Sequence, residues 1–132
     1  MDASSLKFSD NKFGDILMIN ILSCVDSFQK RIKILSEVSR VKQNNARIYL
    51  VIMSEDLHKH PFDDILLKTE SIDSKKFRLT FLKNDNQKIS FDDYLLTKAD
   101  LEKYFKKLNL KVIQEKSFIY KKKEIYKLYV LE

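Results

Sequence analysis

The chain has 132 residues, 44% of them hydrophobic and 11% aromatic, which indicates one globular domain. The apolar run around residues 16–22 is about half of the ~20 residues that a membrane span needs, and it has no basic leader. We therefore expect a cytoplasmic protein with no membrane span and no signal peptide. The single cysteine, Cys24, excludes an internal disulfide and is expected to be a small buried side chain.

The formal charge of +6 is concentrated in the C-terminal third of the chain. Lys98 to Lys127 include ten lysines and four acidic residues, a surplus of six. This surplus could serve an acidic partner such as RNA. However, the lysines alternate with apolar residues, and arginine, the preferred residue for bidentate phosphate contacts, is scarce there. The pattern therefore favours an ordinary solvated surface over nucleic-acid binding.

An apolar run over residues 14–25 is the central feature of the chain. The residues before it are polar and turn-forming, and they predict an extended lead-in with a turn at residues 9–12. The length of the run, its β-branched content and the helical pattern after it predict a strand buried on both faces, as in a parallel α/β sheet.

A helix is predicted directly after this strand. Asp26 or Ser27 can cap it, and Gln29 lies at the capping-box spacing from Asp26. Apolar residues recur at steps of three and four on one face, and charged residues are predicted to face water. The apolar face comprises Phe28, Ile32, Leu35, Val38 and Val41, and the charged face Lys30, Arg31, Lys33 and Glu37. Asparagines in residues 42–46 are predicted to end the helix.

Residues 47–53 form a second continuous apolar run, so strand, helix and strand make a βαβ unit. Ligands of such sheets bind beyond the carboxyl ends of the strands. Here those ends are residues 20–24 and 53–56.

Residues 54–96 are interpreted as a variable insertion. Within it, residues 61–67 could form a short helix and residues 77–82 a strand, followed by a turn at residues 84–86.

The last third predicts a helix and a hairpin. Thr97 caps the helix with Asp100 at the third position, and Asn109 ends it. The apolar face of this helix comprises Leu101, Tyr104, Phe105 and Leu108. Strands at residues 111–120 and 125–131, joined by a short link, form an antiparallel hairpin.

Four segments, taken in order, match the pattern of one protein family. Residues 2–13 resemble its D-A-x-x-L-P-F-x-D-x-x-F segment, and residues 19–22 resemble the end of its fourth strand. Residues 35–50 resemble L-x-E-x-x-R-V-L-K-P-G-G-R-x-x-L, and residues 96–112 resemble the helix and G-F-x-V start of its final hairpin. Together they resemble the carboxyl-terminal half of a class I S-adenosylmethionine-dependent methyltransferase.

The resemblance implies an α/β fold with a partial Rossmann-like methyltransferase sheet, covering helices and a C-terminal antiparallel hairpin. In that family the sheet order is 3-2-1-4-5-7-6 with the last strand antiparallel, and this chain is predicted to supply strands 4, 5, 7 and 6. Residues 1–132 would thus be a single incomplete domain. The half carrying the glycine-rich cofactor turn is predicted to be missing, because Gly14 is the only glycine.

The resemblance also implies four cofactor-binding residues. Asp2 matches the acid that accepts from the adenine amino group, and Ala3 matches the neighbour whose backbone contacts the ring. Asn20 and Leu22 match positions at the mouth of the fourth strand that line the cofactor and substrate space. The alternatives are a disordered terminal acid for Asp2 and a satisfied polar residue at a strand end for Asn20.

Departures from the family pattern accompany these matches. Gly14 replaces an aspartate, residues 42–46 replace a proline and paired glycines, and Asn109 replaces a glycine. Asparagine can adopt the same backbone conformation, so the fold is expected to be kept.

The catalytic residues remain undetermined, because no side-chain pattern identifies a base. His58 and His60 lack a third and fourth ligand at fitting spacing, so a loop is favoured and no metal is expected. Residues 54–56 follow the second strand, where the family often places substrate contacts, and no role is assigned to them.

Three functions follow from this reading. The first is S-adenosylmethionine-dependent methyl transfer by a protein that is competent only when a partner or parent chain supplies the N-terminal half. The second is a non-catalytic interaction module that pairs with another protein, or with itself as a homo-oligomer, through the exposed edge of its first strand. The third is RNA binding through the basic hairpin. The methyl acceptor is not specified by the sequence.

Overall fold

The computed structural model describes residues 1–59, 66–83 and 85–132, whose helices and strands alternate as in an α/β protein. In chain order they are β1 (Ile16–Ile19), α1 (Phe28–Val41), β2 (Ile48–Met53), α2 (Glu55–Lys59), β3 (Leu66–Ser71), β4 (Lys76–Leu82), β5 (Lys88–Tyr94), α3 (Lys98–Lys107), β6 (Val112–Tyr120) and β7 (Lys123–Leu131). A 3-10 turn at Leu22–Cys24 follows β1. None of the described helices combines the length and apolar character needed to cross a membrane.

The main sheet has the strand order β1-β2-β7-β6. β1 and β2 are parallel, whereas β7 is antiparallel to both β2 and β6. This is the predicted order 4-5-7-6 with the last strand antiparallel, so the partial methyltransferase sheet and the C-terminal hairpin are confirmed.

The first strand is shorter and more exposed than predicted. Only Met18 of β1 is buried, whereas Leu17 and Ile19 are 62% and 55% exposed. The prediction of a strand over the whole apolar run, buried on both faces, is therefore wrong for this structure. Its outer edge has no partner strand among the described residues, and the chain leaves the strand at Asn20, whose φ of 53° is left-handed.

The first helix begins one residue later than the predicted capping box requires. Ser27 is its N-cap and accepts a hydrogen bond from the Lys30 amide, so the Asp26–Gln29 pairing is not formed. Arg31, predicted to face water, is buried. The helix ends at Val41, and the residue that caps it, Lys42, is extended rather than left-handed.

The main core joins one face of the sheet to α1 and α3. Its members that are no more than 1% exposed are Met18, Leu22, Leu35, Ile48, Leu50, Leu101 and Leu131. Burial of each such side chain contributes roughly 1.5–3 kcal/mol, so this one face carries most of the apolar stabilisation.

The opposite face of β1 and β2 is open. Register pairs Leu17 with Tyr49 and Ile19 with Val51, and alternation along each strand turns these residues away from the core. None of the four is buried. Parallel sheets in α/β proteins are covered on both faces, so within the described residues this face lacks the second covering layer.

The predicted insertion contains a second sheet, in the order β3-β4-β5. The strand predicted at residues 77–82 is confirmed as β4, and its Phe77 and Leu79 pack with Leu95. Of the predicted helix at residues 61–67, residues 61–65 lie outside the described residues, and the last two belong to β3 instead.

Candidate functional site

Asn20 ends β1 and carries an unused acceptor. Its amide donates to the Val51 carbonyl at 2.9 Å, and its own carbonyl accepts from Ser23 Oγ at 3.1 Å and Cys24 Sγ at 3.3 Å. Its side-chain Oδ1 is buried and has no hydrogen-bond partner among the described residues. Buried acceptors are rarely left unpaired, so this oxygen lacks a donor that the described residues do not supply.

Leu22 lies two residues further on, in the 3-10 turn. Its side chain is 0% exposed and belongs to the main core. The turn directs this side chain into the core, and the resemblance-based assignment of Leu22 to the cofactor and substrate space stays a prediction. Its carbonyl accepts hydrogen bonds from Arg31 Nε at 3.1 Å and from the Val25 amide at 3.2 Å.

Arg31 fixes the loop that follows β1. Its guanidinium donates to the carbonyls of Leu22 and Val25 and, at 3.1 Å, to the Tyr104 hydroxyl on α3. It also lies 5.3 Å from the centre of the Tyr94 ring on β5. One buried cation therefore joins the loop, α3 and the insertion sheet. The sequence does contain a signal for this burial. Arg31 lies three residues after Phe28 and four before Leu35, which places it on the apolar face of the helix.

A buried histidine and aspartate connect the end of β2 to β5. His58 Nε2 lies 2.5 Å from Asp93 Oδ2, and His58 Nδ1 lies 2.8 Å from the Ser54 carbonyl. A carbonyl can only accept, so Nδ1 carries a proton, and a further proton must lie between Nε2 and the carboxyl group. The sequence analysis considered His58 only as a metal ligand and did not identify Asp93 as its partner, because the two residues are 35 positions apart.

Cys24 completes this network at the surface. It is exposed, which corrects the expectation of a buried side chain, and its Sγ lies 3.8 Å from Asp93 Oδ1. Desolvation, and secondly the charge of Asp93, raise the pKa of the Cys24 thiol. The thiol therefore stays protonated at neutral pH and acts as a hydrogen-bond donor rather than as a nucleophile.

A cleft of about 620 Å³ opens between the loop after β1 and the insertion sheet. Its lining residues are Cys24, Val25, Asp26, Lys30, Phe91, Asp92 and Tyr94. Phe91 stacks on Phe81 with centroids 5.4 Å apart, which gives the cleft a rigid aromatic wall. This volume lies in the range of small-molecule sites.

Two cations offset the acidic side chain of Asp92 at this cleft. Asp92 pairs with Arg78 at 2.9 Å and Lys76 at 3.2 Å, and the hydrogen bond from Arg78 is the main cause of its lowered pKa.

Asp2 and Ala3 lie in a turn at the start of the chain. Asp2 Oδ1 accepts from both the amide and the hydroxyl of Ser4 at 2.8 Å. The amide hydrogen bond, followed by the hydroxyl one, lowers the pKa of Asp2, so its carboxylate is ionised at neutral pH. Ala3 packs against the main core.

The segment after this turn is held on α1 by an ion pair. Glu37 Oε2 accepts from the Leu6 amide at 2.8 Å, and Arg40 donates to the carbonyls of Leu6 at 3.0 Å and Phe8 at 2.8 Å. Arg40 also binds Glu37 Oε1 at 2.8 Å. These contacts anchor Asp2 near the core without involving Asp2 itself.

Within residues 1–59, 66–83 and 85–132, no group of three or more His, Cys, Asp or Glu side chains is placed to hold a metal ion. His60, the second histidine of the pair considered from the sequence, lies outside those ranges.

Comparison with known proteins identifies the fold of this chain. No protein-family model matches the chain, and no curated protein is significantly similar to it. An S-adenosylmethionine-dependent methyltransferase from Clostridium acetobutylicum superposes with a TM-score of 0.78 at 15% identity, over 100% of this chain and 62% of that one. One from Methanosarcina mazei gives 0.69 at 20% identity, over 99% and 63%.

A third similar structure holds the cofactor. The glycopeptide N-methyltransferase MtfA, complexed with S-adenosylmethionine, gives a TM-score of 0.68 at 12% identity, over 100% of this chain and 58% of that one. The chain therefore has the fold of the class I methyltransferases along its whole length, as the sequence resemblance predicts. It spans about three fifths of the length of these structures.

Proposed function

We propose that this chain is the carboxyl-terminal half of an S-adenosylmethionine-dependent methyltransferase, competent when a partner or parent chain supplies the half with the cofactor loop. The observation that carries the proposal is the open face of the main sheet together with the unpaired outer edge of β1. In this fold a further β/α layer would pack at both places. The similar structures are considerably longer than this chain, so they have room for such a layer.

The open surface favours such docking energetically. Leu17 and Ile19 are more than half exposed, and Leu17 helps to line a groove of about 290 Å³ together with Leu6, Phe8, Phe13 and Val38. Burying each exposed aliphatic side chain would contribute roughly 1.5–3 kcal/mol. A strand added to the β1 edge would also satisfy its backbone groups.

The polar groups of Asp2 and Asn20, two residues that match cofactor-binding positions of the family, support cofactor binding. The ionised Asp2 carboxylate can accept from an adenine amino group, and Asn20 Oδ1 is available to a second donor. The bound cofactor would supply an electrophilic methyl group. The chain's own contribution would be to hold the acceptor in the cleft between Phe91 and the loop fixed by Arg31, because positioning alone accelerates transfer strongly.

Calorimetry tests the proposal directly. S-adenosylhomocysteine is titrated into the purified chain alone, and then into the chain mixed with a polypeptide from the same source that carries strands one to three. We expect binding in the mixture only. Binding by the chain alone would overturn the need for a second half, and absence of binding in both would overturn the enzymatic proposal.

A matched pair of variants tests the role of Asp2. Asp2→Asn removes the charged acceptor and should weaken binding in the mixture at least tenfold, since a charge-assisted hydrogen bond contributes about 1.5–3 kcal/mol. Asp10→Asn makes the same charge change in the same segment, where the Asp10 side chain is 68% exposed and pairs with Arg40 at 2.7 Å. Equal affinities for the two variants would contradict the assignment.

The second candidate is an interaction module that pairs with itself or another protein through β1, as the exposed Leu17 and Ile19 favour. Analytical ultracentrifugation of the chain alone should then show a dimer that Leu17→Lys with Ile19→Lys converts to a monomer. Ile89→Lys, at an exposed position of β5, is the control. A chain that is monomeric before any substitution contradicts self-pairing.

A further inference from the structure

The outer strand of the hairpin, β6, is exposed along its entire length. It is the last strand of the main sheet, and β7 is its one neighbour within the described part of the chain. Its last three residues are apolar or aromatic and strongly exposed: Phe118 is 39% exposed, Ile119 70% and Tyr120 48%. A solvated lysine face would bury such residues beneath the lysine stems, and here they remain accessible.

The segment from Lys98 to Lys127, which comprises α3 and most of the hairpin, has a charge surplus of six, equal to the net charge of the protein, and three of its four acidic residues form ion pairs. Glu115 pairs with Lys98 at 2.9 Å and with Lys127 at 3.8 Å, and Asp100 pairs with Lys75 at 2.8 Å. Other lysines close to the turn are Lys116, Lys121 and Lys122, and among the described residues none of these three forms an ion pair with a carboxylate. Their positive charge is therefore available to an external anion.

Cations and aromatic rings lie side by side on this strand. Lys116 Nζ is 5.4 Å from the centre of the Phe118 ring, and Lys121 Nζ is 5.3 Å from the centre of the Tyr120 ring. Proteins that bind single strands combine these two elements, with lysines along the backbone phosphates and aromatic side chains on which bases stack.

We propose that this surface, formed by Lys116, Phe118, Tyr120, Lys121 and Lys122, binds single-stranded RNA. Bases in a duplex are not free to stack on protein rings, whereas RNA is recognised mainly through unpaired bases that stack on aromatic side chains. A protein partner is disfavoured, because lysine is depleted from protein interfaces. The surface lies on the strand at the opposite end of the sheet from β1, so the proposal is independent of cofactor binding.

Fluorescence anisotropy with a labelled oligouridine of about 12 nucleotides tests the proposal. Affinity should fall with salt, because bound lysines release counterions from the strand. Phe118→Thr with Tyr120→Thr keeps strand-forming residues and should weaken binding at least tenfold. Lys116→Gln, Lys121→Gln and Lys122→Gln together should flatten the plot of log affinity against log salt by about 2 units of slope.

The triple variant K12Q/K83Q/K88Q is the matched control, since it removes the same charge from exposed positions elsewhere. It should leave the slope unchanged, and circular dichroism confirms that each variant is folded. An equal loss in the control, binding unaffected by the aromatic substitutions, or tighter binding of duplex RNA or of oligothymidine would each overturn the proposal. So would a dimer that forms through β6 and excludes the probe.

Discussion

His58 Nε2 and Asp93 Oδ2 lie 2.5 Å apart, with side chains only 0% and 3% exposed. The pair tethers the insertion sheet to α2 and thus to the end of β2. Its loss would leave one polar partner buried without the other.

Replacing Asp93 by alanine should therefore lower the free energy of unfolding by about 3–5 kcal/mol, measured by urea denaturation. Asp92→Ala is the control. The Asp92 carboxylate forms ion pairs that are partly exposed to solvent, so its removal should lower the free energy of unfolding much less. The double variant Asp93→Ala with His58→Ala should lose less free energy of unfolding than the two single variants lose together. If the two losses simply add, the pair is not coupled.

Two buried tyrosines should respond oppositely to loss of their hydroxyls. Tyr104→Phe removes an acceptor of the Arg31 guanidinium and should cost about 1–2 kcal/mol. The Tyr129 hydroxyl has no hydrogen-bond partner among the described residues, and burial raises its pKa to about 12. Tyr129→Phe should therefore be neutral or stabilise the protein by up to about 1 kcal/mol. Thermal and urea unfolding would reveal equal losses if this contrast were wrong.

Acid should loosen the N-terminal segment through Glu37. Hydrogen bonds from Arg40 and the Leu6 amide lower the pKa of Glu37 from 4.5 to about 2. A carboxylate whose pKa is lower in the folded state contributes stability above its unfolded pKa, and this contribution is lost as the pH falls toward the folded value. Stability should thus decline between about pH 4.5 and pH 2, and Glu37→Gln should flatten that decline in urea midpoints. Identical pH profiles would refute the assignment.

The hairpin turn holds two lysines in a backbone conformation that is strained for residues other than glycine and asparagine. Lys121 and Lys122 occupy left-handed conformations with φ of 47° and 65°, the pattern of a type I′ turn, which favours Asn-Gly. Lys121→Asn with Lys122→Gly should raise the free energy of unfolding by about 1–2 kcal/mol. Lys121→Gln with Lys122→Gln removes the same charges without relieving the backbone, so a similar gain there would attribute the effect to charge.

Local signals in the sequence predicted much of the fold. The Thr97–Asp100 capping box is present, Asn109 adopts a φ of 54° after α3, and the hairpin pairs as expected. Each of these depends on neighbouring residues or on one short turn.

Features that depend on distant contacts were missed. Arg31 was assigned to solvent by its charge, although its partners are backbone carbonyls and a tyrosine 73 residues away. The exposed Cys24, the His58–Asp93 pair and the sheet of the insertion likewise arise from non-local packing, which periodicity does not encode. The buried Leu22 depends on a left-handed residue that interrupts an otherwise continuous apolar run.

In this chain, asparagine occupies the left-handed backbone conformation that glycine usually occupies. Gly14 is not left-handed, while Asn11, Asn20, Asn86 and Asn109 are. A glycine reverses the chain without adding any functional group, but an asparagine brings an amide to the same point. At the end of β1 the left-handed residue therefore also places a side-chain amide beside the carboxyl end of the strand, so that one residue sets both the path of the backbone and the polarity of that end of the sheet.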